Sequence, residues 1–434
     1  MNTDLTRLGA REAARRIRGG KLSPVELVEA CLARIRALDA ELKAWVHVDE
    51  TGALALARQR EAEAQTNRVL GPLHGVPVGI KDIFDVAGMP TTGGARSWSH
   101  TRPARDATAV ARLRAAGAII LGKTATTEFA YRDPAPTRNP WNRDHTPGGS
   151  SAGSGAAVGA RMLPLALGSQ TVGSVLRPAA YCGVIGFKGT HGLVSVDGVI
   201  PLAWSLDHVG VFARSVADAA LAFSLLVGRE LAAVPPRSPR LALVPELLAR
   251  CEPAVAEQIQ AAADRFARAG AVMAEAKLPP SFTEVHAAGL VVLEAEAAAY
   301  HEKAFRAHAG EYGTEMRALV EAGLRRTATA YLRADRARLK FRDEVMPLLA
   351  AHDALLVPTA PAPAPAGLGS TGDASLCAPW SYAGVPAVSL PSGLASSGLP
   401  HALQLVAAAD GEAGLLAIAQ WSEDVLGFSA APSI

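Results

Sequence analysis

The 434-residue sequence predicts an α/β fold in which a large, central, mostly buried sheet is covered by helices on both faces. Three observations carry this. Short apolar runs the length of buried strands recur between longer stretches with helical spacing, the rhythm of a sheet with helices on either side. The length exceeds a usual single core, so either two domains or one large layered structure is expected. Hydrophobic residues make up 49% and charged residues 19%, which fits a globular chain and not a disordered one.

In chain order, the first seventy residues read as an N-terminal helical segment. Ser23-Pro24-Val25-Glu26 is a helix start with a serine N-cap, proline in the first turn and glutamate at the capping-box position. Leu27, Cys31, Ile35 and Leu38 continue it as an apolar stripe, and a second helix is expected over 52–65. Gly75 to Ile80 reads as a buried strand running into Lys81-Asp82. Two readings of Lys81 stand: a strand-end lysine paired with Asp82 or Asp85 at the surface, or a lysine in an apolar pocket whose lowered pKa makes it a base. A helix over 106–116 and a strand over 118–121 follow, and then a Pro/Asn-rich loop from Glu128.

The most unusual stretch is Thr146 to Thr190, dense in Gly and Ser and without an acidic residue. Buried-looking runs such as Met162 to Leu167 distinguish it from a flexible linker, so it reads as tightly packed backbone. Beyond it come a helix over 216–227, a strand over 241–244, a helix over 253–269 and a nearly all-helical block over 284–349. A strand over 353–357, a Pro/Ala loop over 359–366, strands over 386–390 and 402–406 and a closing helix over 411–426 complete the chain. No repeat or linker divides it. A single domain over 1–434 is expected, with a helical embellishment at about 230–350.

The formal net charge of +2 gives no reason to expect nucleic acid or an anionic membrane as partner. Four dispersed cysteines fit neither a metal site nor a disulfide framework. The N-terminus lacks an apolar leader core and no apolar run has spanning length, so a cytoplasmic protein is the expectation.

The segments GVPVGIKDIFDVAGMPTTGGA, PGGSSAGSGAAV and GSQTVGSVLRPAAYCGVIGFK, with DALLVPTAP, APWSYAGVPAVSLPSG and GLPHALQLVA near the end, strongly resemble the amidase signature family, in that family's order. The resemblance implies a mixed sheet of about eleven strands and a Ser–Ser–Lys triad. Lys81 matches the lysine, Ser150 the bridging serine with a cis bond at Gly149–Ser150, and Ser174 the nucleophile. Ser151 and Ser154 are assigned to helix start and packing. A serine hydroxyl needs a base within reach, and with no carboxylate in the stretch lysine is the best one available. Backbone N–H groups of Thr171, Val172, Gly173 and Ser174 are the expected oxyanion site. No metal or cofactor is called for.

The expected activity is hydrolysis of a small polar amide or ureido substrate through an acyl-enzyme on Ser174. A glutaminase subunit of a transamidating complex is the alternative. An amidase-like protein that serves in binding or assembly is the alternative of another class. A homodimer or a complex with a small partner subunit is the expected assembly. Substrate contacts are expected from 91–96, 131–138 and 370–380, with Arg96, Tyr131, Arg177 and Trp380 as candidates and Arg132 and Arg138 as further arginines. The chain departs from the family's usual pattern in having Val172 for glycine, Gln170 for aspartate, Leu176 for arginine and Gly189 for proline. Val172 is expected to narrow the acyl pocket, and Gly189 to loosen its turn.

Overall fold

The computed structural model describes residues 4–95, 98–231 and 238–434. Its centre is one 11-stranded sheet in the order β1-β3-β2-β4-β6-β5-β10-β11-β9-β7-β8. The strands are β1 (Trp45–Val48), β2 (Pro77–Lys81), β3 (Ile119–Thr124), β4 (Leu165–Gln170), β5 (Ile185–Lys188), β6 (His208–Ala213), β7 (Arg240–Leu243), β8 (Val272–Glu275), β9 (Ala354–Pro358), β10 (Ala387–Leu394) and β11 (Pro400–Val406). β3, β2 and β4 are mutually parallel, as are β9, β7 and β8, and the strands between them pair antiparallel. In β2, β3, β4, β5, β6, β9 and β11 every residue is buried, so both faces of the central sheet are covered.

The covering helices begin with α1 (Ala10–Arg18), α2 (Pro24–Leu42), α3 (Glu50–Gln65) and α4 (Thr108–Ala115). α2 starts with the full capping box: Ser23 accepts from the N–H groups of Val25 and Glu26, and the Glu26 carboxylate accepts from the Ser23 N–H. Two short helices, α5 (Ala152–Gly159) and α6 (Leu176–Cys182), flank β4 and are buried at every residue. Small residues make this possible: a β-carbon on Gly153 would lie 2.2 Å from the Ala44 carbonyl oxygen. α7 (Val216–Val227), α8 (Pro245–Leu248) and α9 (Pro253–Arg268) follow. The region from about 230 to 350 holds the long helices α10 (Phe282–His308), α11 (Thr314–Leu324) and α12 (Ala328–Ala351). It also supplies β7 and β8, which lie in the same sheet. α13 (Ala378–Tyr382) and α14 (Glu412–Leu426) complete the set.

Gly189 does not mark a loosened turn. A β-carbon there would lie 2.2 Å from the Phe223 ring, so the ring of α7 occupies the space a larger residue would need. Beside it the fully buried Lys188 amine donates to the Val385 carbonyl, and burial pushes its pKa down to about 7, partly opposed by Glu412.

Next to β2 lies a buried ion pair, Lys123 Nζ to Asp82 carboxylate at 2.9 Å, with both side chains fully buried. Lys123 also donates to the Pro90 carbonyl and the Thr91 hydroxyl, and Asp82 accepts from the Thr92 N–H and hydroxyl. The pair thereby pins the 90–93 loop to the sheet. Removing one partner strands the other charge. Asp82→Ala is expected to cost about 3–5 kcal/mol in equilibrium urea unfolding, and a loss below 1 kcal/mol would show the pair to be dispensable.

Candidate active site

Lys81 is the last residue of β2, and its side chain is fully buried. Its Nζ lies 2.6 Å from Ser150 Oγ and 2.8 Å from Ser169 Oγ. Among the described residues no carboxylate forms an ion pair with it, so the surface-lysine reading does not hold: Asp82 is taken by Lys123. Desolvation holds the Lys81 pKa well below the ordinary value of 10.5, with the charge of Asp207 opposing. The shift favours the neutral amine, whose lone pair can take up a proton.

Ser150 follows a cis peptide bond from Gly149 and is fully buried. The chain reaches it through Gly148, at φ 83°, where a β-carbon would lie 2.9 Å from Pro178 Cα. Ser151 and Ser154 turn away into packing: their hydroxyls donate to the carbonyls of Ser169 and Leu167. Ser174 stands in the loop between Gln170 and α6 and lines a cavity of about 720 Å³. Its carbonyl accepts from the Ser151 N–H at 3.4 Å, which ties the loop to the Ser150 segment. Its hydroxyl has no hydrogen-bond partner among the described residues, and neither do the N–H groups of Val172, Gly173 and Ser174.

Tyr131, Arg132, Val172, Arg177 and the 369–375 loop line the same cavity, together with His286, Leu290, Leu293 and Glu315 from α10 and α11. Phe129 and Ala130, just ahead of Tyr131, hold left-handed backbone at φ 45° and 62°, an uncommon conformation for non-glycine residues. α11 is held at the rim because the Asp133 carboxylate accepts from the N–H groups of Glu315 and Met316. Arg177 is buried. Its guanidinium donates to the Gly372 carbonyl at 2.6 Å, the Gly149 carbonyl at 2.7 Å and the Thr371 hydroxyl at 3.0 Å.

Other expected contacts lie elsewhere. Trp380 is fully buried and away from the cavity; Ala378 and Tyr382, one helical turn apart on the opposite side of α13, line it instead. Arg138 donates to the Arg143 carbonyl outside the cavity. Arg96 lies outside the described residues. Three neighbours escape the sequence reading. Ser169 is the second partner of Lys81; its signal is a further serine on the strand beside β2. Asp207 accepts from the Thr171 hydroxyl at 2.6 Å and the N–H groups of Leu202 and Ala203, and burial raises its pKa to about 6. Ser381 touches the Val172 carbonyl. Both lie too far along the chain from the loop for spacing to reveal them.

The fold and its relatives define an amide-cleaving hydrolase. The family model described as Amidase matches residues 26–416, and the chain belongs to that family. It is 37% identical over 382 residues to an amidase of Pseudomonas putida, covering 83% of this chain and 81% of that protein. It is also 35% identical over 484 aligned residues to a glutamyl-tRNA(Gln) amidotransferase subunit of Anaeromyxobacter sp. (strain K), covering 99% and 98% of the two chains. A solved amidase crystal structure superposes with a TM-score of 0.90 at 33% identity, covering 96% of this chain and 99% of that one. Among the described residues no helix is long and apolar enough to cross a membrane, and no three His, Cys, Asp or Glu side chains cluster as metal ligands.

The buried amine carries a stability consequence with a fixed sign. Between its lowered folded-state pKa and 10.5 the unfolded chain holds a proton at Lys81 that the folded chain has released, so across that window this residue makes stability rise with pH. Lys81→Met removes the desolvated amine. The melting temperature of the variant relative to wild type is expected to fall as pH rises toward 10.5, because only wild type gains stability over that window. A difference between the two proteins that stays constant as pH rises toward 10.5 would contradict the lowered pKa of Lys81.

Proposed function

We propose that the protein hydrolyses a small polar amide or ureido compound through an acyl-enzyme on Ser174, with Ser150 and Lys81 as the proton relay. The observation that carries this reading is the fully buried Lys81 amine at 2.6 Å from Ser150, on a segment tied to the loop of Ser174. Neutral Lys81 takes the Ser150 proton as Ser150 takes that of Ser174, and Ser174 Oγ bonds to the amide carbon. The tetrahedral oxyanion faces backbone N–H groups of the 171–174 loop. Collapse breaks the C–N bond, and the proton held on Lys81 returns through Ser150 to the leaving nitrogen. Water attacks the ester, its proton following the same route; carboxylic acid leaves and the three residues regain their starting states.

The cavity favours a polar acyl part that carries an anionic group. Arg177 is a buried cation on its wall whose hydrogen-bond acceptors are all neutral, and its Nε has no partner among the described residues. Such a charge is compensated when a carboxylate enters. A second reading, the glutamine-hydrolysing subunit of a transamidating complex, is favoured by the match along nearly the whole length of an amidotransferase subunit. Arg132, Glu315 and Asp373 at the cavity leave either reading room for a polar leaving group.

A screen of simple amides, monoamides of dicarboxylic acids, ureido acids and glutamine for ammonia release separates these readings. Turnover of a monoamide or ureido acid by the chain alone is expected. Ser174→Ala should abolish both turnover and labelling by a fluorophosphonate. Labelled wild type that releases ammonia only from glutamine, and only with partner subunits, would favour the second reading; unlabelled wild type would favour a binding or assembly role. Val172 lines the cavity beside Ser174, so Val172→Gly is expected to raise kcat/KM on bulkier acyl groups about tenfold relative to small ones. An unchanged substrate range would remove Val172 as the limit on acyl size.

A further inference from the structure

Gln170, the last residue of β4, and Ser381 on α13 are both fully desolvated, and they meet behind the loop that carries Ser174. Gln170 Oε1 accepts from the N–H groups of Val175 and Leu176, each at 2.9 Å. Its Nε2 donates to Ser381 Oγ at 2.9 Å, and Ser381 Oγ donates to the Val172 carbonyl at 2.8 Å. The direction of this chain is forced. A hydroxyl has one proton, and because the amide N–H already fills an acceptor position on Ser381, that proton is free for Val172. A carboxylate at position 170 would instead accept from Ser381 and leave the Val172 carbonyl without its donor.

The bond matters because of the plane it fixes. In a trans peptide the C=O and N–H point in opposite directions, so holding the Val172 carbonyl against α13 turns the Gly173 N–H away from α13. That N–H has no acceptor among the described residues. The loop is also pressed against the segment leading into α13: a β-carbon on Gly173 would lie 2.8 Å from Ala374 Cβ and 3.1 Å from Cys377 Cβ. We propose that Ser381 is a positioning residue for amide cleavage, holding the Val172–Gly173 peptide so that the Gly173 N–H stands ready as an oxyanion donor, with Gln170 setting the direction of the Ser381 hydroxyl. This rests on the reading of Ser174 as the nucleophile. A donor fixed beforehand stabilises charge that appears only in the transition state, so its loss falls on kcat and not on KM.

The test uses the full chain as wild type, Ser381→Ala and Gln170→Glu, the second variant reversing the Ser381 hydroxyl without removing it. Three quantities are measured: kcat and KM on the best amide from the screen, the rate of fluorophosphonate labelling of Ser174 located by mass spectrometry, and the melting temperature. Both variants are expected to lose roughly 10–100-fold in kcat and in labelling rate, with KM within about twofold of wild type. If Ser381→Ala does not fold, Gln170→Glu alone decides. A folded variant that keeps kcat and labelling within twofold, or whose KM rises as far as its kcat falls, overturns the positioning role. Wild type that is not labelled at Ser174 overturns the underlying reading and this inference with it, whereas labelled wild type with equally reactive variants overturns this inference only.

Discussion

The desolvation of one amine is the constraint on which the rest of this structure depends. Lys81 leaves water at the end of a strand buried on both faces and meets two serine hydroxyls, with no carboxylate bonded to it among the described residues. A charged ammonium in that place would need a counter-ion, so the site favours the neutral amine. The surroundings keep nearby acids otherwise engaged. Asp82 is held by Lys123, and Asp207 by a hydroxyl and two backbone N–H groups. Had either carboxylate paired with Lys81, the lysine would be held as a cation.

Bringing the three proposed reacting groups together takes a particular topology. β2 and β4 run parallel and adjacent, so the end of β2, at Lys81, and the end of β4, at Gln170, emerge on the same edge of the sheet. The loop after β4 carries Ser174, while the turn before α5 brings Ser150 to the same edge. The tight packing of α5 and α6 explains why this region is rich in glycine and alanine, since each larger side chain would push apart the backbone segments of Ser150 and Ser174.

Much of this was legible in the sequence, for identifiable reasons. The capping box at Ser23, the apolar run ending at Lys81 and the alternation in the second half are local signals, and the elements lie where those signals put them within a few residues. The strands β1, β4, β5, β6 and β8 were harder to read. β4 and β5 lie inside the Gly/Ser-rich stretch, whose composition mimics a loop, and the exposed edge strand β8 lacks an apolar run. Substrate-contact assignments were least legible. Trp380 is the largest side chain of its segment, yet the phase of a five-residue helix decides whether it faces core or cavity, and no periodicity is measurable over one turn.

The residues at positions 170, 176 and 177 form one consistent set. An aspartate at 170 could accept from the Val175 and Leu176 N–H groups, as Gln170 does, but it would bury a negative charge needing an arginine nearby. Gln170 does the same work at the start of α6 without a charge, and the fully buried Leu176 needs no partner. The positive charge that remains, at Arg177, lies one residue along the helix and faces carbonyl oxygens at the cavity wall, including that of Gly149. Neutral groups thus hold the loop behind Ser174, while the buried cation, with the Asp373 carboxylate near it, stands at the cavity wall.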